Sequence, residues 1–263
     1  LGMTEPNIQP WSQSRVPVVS LLGLKKINTV LYPMAFTMHS LYGCTAREFL
    51  EKFGPIVTYI GALVYQANQE VEEAQRGEAQ YHGTSQWDKR RHEIKLLFQE
   101  LLIYDPVAEE LLDEVGTYWE LENKLNYNGI ISKELLAQTI ALRPSDLLAY
   151  HHICLHLAKV PNRDEIFGVL IPWQIYMELL TDILEYPKDV ATKDYNTYRM
   201  LVKLYGPSAK GHLAHVIADY RRQYEKRMST IPVQLQLQLT GIFKCILADI
   251  GGIPVIPEPI LEF

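Results

Sequence analysis

Between Ile175 and Asp189 four acids, Glu178, Asp182, Glu185 and Asp189, recur at i, i+4, i+7 and i+11 inside an otherwise apolar stretch. A 3.6-residue period puts all four carboxylates on one stripe of a helix, and Ile175, Leu179, Leu180, Ile183 and Leu184 supply the apolar remainder. Like charges at that spacing repel by roughly 0.2–0.5 kcal/mol per pair, so the stripe needs solvent, a cation or basic side chains in front of it. The one local base is Lys188. A plain solvated helix face would read the same way, and the rest of the chain has to discriminate.

The chain has 263 residues, of which 48% are apolar, enough for a sizeable core. A net charge of −6 argues against a general nucleic-acid binder. Cys44, Cys154 and Cys245 are odd in number, far apart and without C-x-x-C spacing, so neither a disulfide framework nor a zinc site is expected, and a reducing, cytoplasmic setting fits. Polar residues interrupt the apolar runs, so no segment is expected to span a membrane or to be exported.

In chain order, residues 1–17, with Pro6, Pro10 and Pro17, read as an extended arm, and residues 251–263, with Pro254, Pro257 and Pro259, as an irregular tail. Residues 18–250 between them read as one all-α domain of about ten helices with short links. Thr45-Ala-Arg-Glu48 is a capping box, and Pro55 suits a helix start after Gly54. Helical spacing continues from Ile56, again around Ile94 and Leu101, and from Pro106 to Leu125. Asn126-Tyr-Asn-Gly129 is the clearest turn, Ser132 caps the next helix, and Pro144 restarts it. The acidic-striped helix opens at Pro161-Asn-Arg-Asp164, with a kink expected at Pro172 and an end near Pro187. Val233-Gln-Leu-Gln-Leu-Gln-Leu239 alternates with period two, yet no partner strand exists and Leu239, Ile242, Phe243 and Ile246 continue at helical spacing, so a helix is expected there too.

Several motifs then fall in order. Gly23-Leu-Lys-Lys26 is followed about forty residues later by Leu63-Val-Tyr-Gln-Ala-Asn-Gln-Glu70, then by Gln75-Arg76-Gly77 and His82. Ala141-Leu-Arg-Pro-Ser-Asp-Leu-Leu148 and Thr181-Asp-Ile-Leu-Glu-Tyr186 complete the set. In these stretches the chain resembles the trans-isoprenyl diphosphate synthase family, within the class I terpenoid synthase fold. The resemblance implies a helical bundle around a central cavity, with Lys25, Lys26, Arg76 and Arg143 binding diphosphate. It implies a magnesium site at Asp182, Glu185, Asp189 and Glu70, and a prenyl-chain pocket at Gly61, Ala62, Tyr65 and Gln66.

The family's two Asp-Asp-x-x-Asp clusters are eroded here. The first reads Gln66-Ala-Asn-Gln-Glu70, with Glu73 one turn on, and the second reads Thr181-Asp182 with Glu185. Thr181, Glu185 and Asp189 also match, in oxygen ligands of other types, the Asn-x-x-x-Ser-x-x-x-Glu of terpene cyclases, and Lys193-Asp-Tyr-Asn196 is similar to the Gly-Asp-x-x-Asn that follows it. The expectation is a protein of isoprenoid biosynthesis that acts on or binds prenyl diphosphates with a weak or incomplete magnesium site. The alternative is a non-catalytic, prenyl-diphosphate-binding or regulatory relative, and the implied assembly is a homodimer or a heteromer with an active synthase.

Gly61 and Ala62, if they form a tunnel floor, favour a chain of fifteen carbons or more, whereas close helix packing is the commoner use of small residues. His151, His152 and His156 lack the paired Glu-x-x-His of a di-iron bundle and are expected to be ordinary satisfied histidines.

Overall fold

The computed structural model describes residues 19–75, 85–102, 106–127, 129–161 and 163–261, and no strand occurs among them. The expected arm and the stretch holding Arg76 and His82 lie outside the described residues. Helix α1 (Leu21–Pro33) runs into a π-turn and a 3-10 turn ending at Tyr42. There follow α2 (Ala46–Lys52), α3 (Gly54–Gln75), α4 (Ser85–Glu100), α5 (Pro106–Asn126), α6 (Lys133–Leu142) and α7 (Ser145–Leu157). After these come α8 (Arg163–Thr192), α9 (Thr197–Tyr205), α10 (Ala209–Met228) and α11 (Val233–Asp249).

Local chemistry explains most boundaries. Thr45 and Glu48 form both bonds of the capping box at α2, and the Ser132 hydroxyl accepts from the Leu135 amide at α6. The alternating Gln-Leu segment is helical within α11, as its continued 3.6-period spacing requires.

The expected end at Pro187 is not observed, because α8 continues through both Pro172 and Pro187 for 30 residues. Each proline forfeits one backbone donor. Pro187 supplies no amide to the Ile183 carbonyl, and the adjacent Asp182 carbonyl accepts from Asn196 Nδ2 at 2.8 Å. Burial supplies the rest, with Trp173, Tyr176, Leu179, Leu180, Ile183 and Tyr186 all inside the core. By length and hydropathy α8 could cross a bilayer, yet 72% of its most apolar window is buried against neighbouring helices.

Helix α8 packs against α7, α9 and α10, while α5 packs on α6 and α7, and α1 lies along α3. The α1–α3 contact depends on two glycines. A Cβ on Gly61 would lie 2.1 Å from Ile27 Cδ1, and one on Gly23 would lie 2.7 Å from the Ala62 carbonyl oxygen. The space beyond Gly61 is therefore filled by Ile27, and Ala62 is fully buried. This corrects the tunnel-floor expectation for Gly61 and Ala62, whose small side chains let two helices approach. Gln66 Oε1 accepts from the Ser20 amide at the start of α1 at 3.0 Å.

His151 is a core histidine, with Nδ1 2.6 Å from the Tyr42 hydroxyl and Nε2 2.9 Å from Gln174. Burial lowers its pKa to about 4. The C-terminal tail is held by two tyrosines from the core. Tyr186 Oη accepts from the Ile260 amide at 2.8 Å, and Tyr198 Oη donates to the Pro257 carbonyl at 2.8 Å.

Gly61→Val overpacks the α1–α3 contact and should cost about 1–3 kcal/mol in urea denaturation. Between about pH 6.5 and 4 the unfolded chain binds a proton that folded His151 refuses, so stability falls on acidification across that window. His151→Gln should flatten the fall when melting temperature is followed against pH.

Candidate functional site

A cavity of about 610 Å³ opens between α3 and α8, the two helices that carry the eroded motifs. From α3 it is lined by Val64, Tyr65, Asn68 and Glu72, and from α8 by Glu178, Thr181, Glu185, Lys188 and Asp189. Val115, Tyr118, Trp119 and Glu122 of α5 form a third wall. Lys26 of α1, Arg143 and Asp146 at the α6–α7 junction, and Asp194 and Tyr195 after α8 also line it. Its volume lies in the ~300–1,000 Å³ range of small-molecule sites. Carboxylates outnumber cations seven to three on its walls.

The acidic stripe on α8 is neutralised from another element. Arg143, the C-cap residue of α6, donates through Nη1 to Asp182 and through Nε to Glu178 at 3.0 Å. The Asp182 side chain is fully buried, and its Oδ2 also accepts from the Thr197 amide at 3.0 Å. Oδ1 of Asp182 is buried without a hydrogen-bond partner. The Arg143 guanidinium in turn lies 5.7 Å from the centre of the Tyr195 ring, a cation–π contact on the cavity wall.

Further along α8, Asn196 Nδ2 donates to Asp189 Oδ2 at 2.8 Å, while Asn196 Oδ1 caps α9 by accepting from the Tyr198 and Arg199 amides. One asparagine thus ties the acidic stripe to the start of α9. Burial pushes Asp189 up to about 6 against the Asn196 hydrogen bond, and the charges of Glu185 and Asp182 add to the rise.

The first motif behaves differently from its expectation. Glu70 forms a two-bonded pair with Arg90 of α4, at 2.8 and 2.6 Å, and is not among the cavity-lining residues. Asn68 accepts from Trp119 Nε1 at 2.9 Å and donates to Glu72 at 2.7 Å, and Gln69 donates to Glu73 at 2.6 Å. Its polar groups bond to α4, to α5 and along α3 itself, and Glu70, expected as a metal ligand, is paired with Arg90 outside the cavity lining.

Of the expected diphosphate group, Lys26 and Arg143 reach the same cavity from separate segments, whereas Lys25 is exposed and not part of its lining. Tyr65 is the one member of the expected chain pocket that lines it.

The donor set does not form a self-standing magnesium site. Among the described residues no three His, Cys, Asp or Glu side chains come together as a metal-holding group. Asp182 is occupied by Arg143, so Glu185 and Asp189, one turn apart on a single helix, are the acids of the expected set that face the cavity. Two carboxylates on one wall leave most of the six oxygens that magnesium requires to be supplied from elsewhere.

Sequence reasoning missed Glu72, Tyr118, Glu122, Asp146 and Lys188 as wall residues. Asp146 could have been found, since it stands three residues after Arg143 in the same motif. The α5 residues could not, because nothing in α5 resembles a motif. Comparison of the chain with models of protein families, with curated proteins and with solved structures finds no match in any of the three.

Removing one partner of a buried ion pair leaves the other charge uncompensated, at a cost of roughly 3–5 kcal/mol. Arg143→Met should therefore destabilise the protein by about that much in urea denaturation, and the double variant Arg143→Met/Asp182→Leu should recover part of the loss.

Proposed function

We propose that this chain is a class I isoprenoid-biosynthesis protein of the terpenoid-synthase type, with the α3–α8 cavity as its prenyl-diphosphate site. One observation carries the reading. The two helices bearing the eroded motifs face a single cavity, and Lys26 and Arg143, from the segments resembling the family's diphosphate-binding motifs, reach that same cavity.

Lys26, Arg143 and Lys188 are the groups that would meet the diphosphate, by charge-assisted hydrogen bonds to its oxygens. Val64, Val115, Leu142 and Leu147, with the rings of Tyr65 and Tyr118, would cover the apolar chain. Each buried methylene of that chain contributes about 0.8 kcal/mol. The excess of carboxylates repels a bare diphosphate, so a divalent ion entering with the ligand would supply the charge neutralisation that the protein lacks.

That charge balance sets the test. Magnesium alone and farnesyl diphosphate alone should each bind weakly in calorimetric titration, and the two together should bind at least tenfold more tightly than farnesyl diphosphate alone. Lys26→Ala should reduce the joint binding. Equal affinity with and without magnesium, or no binding of either geranyl or farnesyl diphosphate, would refute the reading, and product analysis of the same mixtures separates an enzyme from a non-catalytic binder.

A further inference from the structure

We propose that Asp146 is a catalytic residue of this cavity, the carboxyl that accepts a proton from carbon and so ends the reaction of a bound prenyl cation as an alkene. The inference rests on the isoprenoid reading above and adds a residue and a chemical outcome to it.

Geometry sets this carboxyl apart from three others on the walls. Glu178 is held by Arg143, Asp189 by Asn196, and Glu72 by Asn68. Asp146 is met from another helix only by a hydroxyl, that of Tyr65 on α3, which donates a hydrogen bond to it. It lies in the first turn of α7, where Oδ1 accepts from the Leu147 amide at 2.7 Å. Around it stand Tyr65 from α3, Glu178 from α8, Arg143 from the preceding junction and Tyr150 one turn on along α7. The Tyr65 hydroxyl adjoins the carboxyl. The Tyr150 hydroxyl, on a fully buried side chain beside both, has no hydrogen-bond partner. A polar atom left unsatisfied at that depth is costly, and a proton-exchanging carboxyl next to it gives it a use.

Electrostatics agrees. Burial first, and then the charge of Glu178, push Asp146 up to about 7, against the lowering by its backbone hydrogen bonds and by Arg143. A base whose pKa lies near neutrality both exists in its ionised form and holds the proton once taken. The rings of Tyr65, Tyr118 and Tyr195 on the same walls offer faces that stabilise positive charge before transfer.

In the step, a C–H bond beside the cationic carbon breaks and its electron pair becomes the new C=C bond, which quenches the cation. The proton bonds to an Asp146 carboxylate oxygen and later passes to water at the cavity mouth. No oxidant or reductant is involved.

Farnesylamine, whose ammonium group imitates the cationic centre on the same chain, probes the charge without any diphosphate or metal. Its affinity for the wild type should rise about tenfold from about pH 6 to about pH 8, as a carboxyl with a pKa near 7 ionises. In Asp146→Asn that dependence should shrink to the part contributed by Asp189, the wall carboxyl pushed up to about 6, and in Asp146→Glu it should return. The Asn variant removes a buried charge, so its melting temperature at pH 8 should equal or exceed that of the wild type.

With farnesyl diphosphate and magnesium, Asp146→Asn should shift products from hydrocarbons to alcohols, as water captures a cation that keeps its proton. Wild-type turnover together with an unchanged amine pH profile and unchanged products in Asp146→Asn would overturn the role of Asp146 alone. Binding without turnover of any prenyl diphosphate by the wild type would likewise overturn the role of Asp146, whereas failure to bind any would overturn the reading on which it rests.

Discussion

The bidentate grip of Arg143 on Asp182 and Glu178 is the interaction on which the interior of this protein depends. A helix as apolar as α8 belongs in the core, yet it carries carboxylates that a core cannot hold unpaired. Arg143 resolves the conflict from the end of α6, and Asn196 and the Thr197 amide complete it from the start of α9. Three elements distant in sequence are thereby fixed around one wall of the cavity. The net worth of such a pair for stability is small, because both charges lose water, and its larger effect is to set which elements meet.

The same grip shapes the chemistry. By occupying Asp182, Arg143 removes a carboxylate that would otherwise hold a divalent ion, and by bonding to carboxylates it offers less of itself to an anion. The acids that remain on the walls belong to α3, α5, α7, α8 and the turn after α8, and burial and crowding raise the proton affinity of three of them, Asp146, Glu178 and Asp189. The cavity thus combines carboxyls that titrate near neutrality with aromatic rings and a few cations, a combination suited to a ligand that brings both negative and positive charge.

Much of the helical architecture was legible because its signals are local. The capping box at Thr45, the cap at Ser132, the proline starts and the helical spacing through Leu239 and Phe243 each act within a turn or two. Pro187 misled for the opposite reason. Its local cost was outweighed by the burial of Tyr186 and the residues around it, which depends on α9 and α10. Gly61 was ambiguous in the sequence between a tunnel floor and a close contact, and only the position of Ile27 on another helix decides for contact.

The sequence by itself determined that the chain is helical, where its principal helices begin, and that α8 presents four acids on one stripe. Periodicity and capping depend on neighbours three or four residues away, and a sequence displays those directly. Tertiary structure alone decided what faces the stripe. Arg143 stands 39 residues from Asp182, and Arg90 stands 20 from Glu70, so no local pattern could say that one basic residue would close over α8 and another would draw Glu70 out of the site. Charges pair through space, at a range set by packing, and the partner of a carboxylate is a property of the fold.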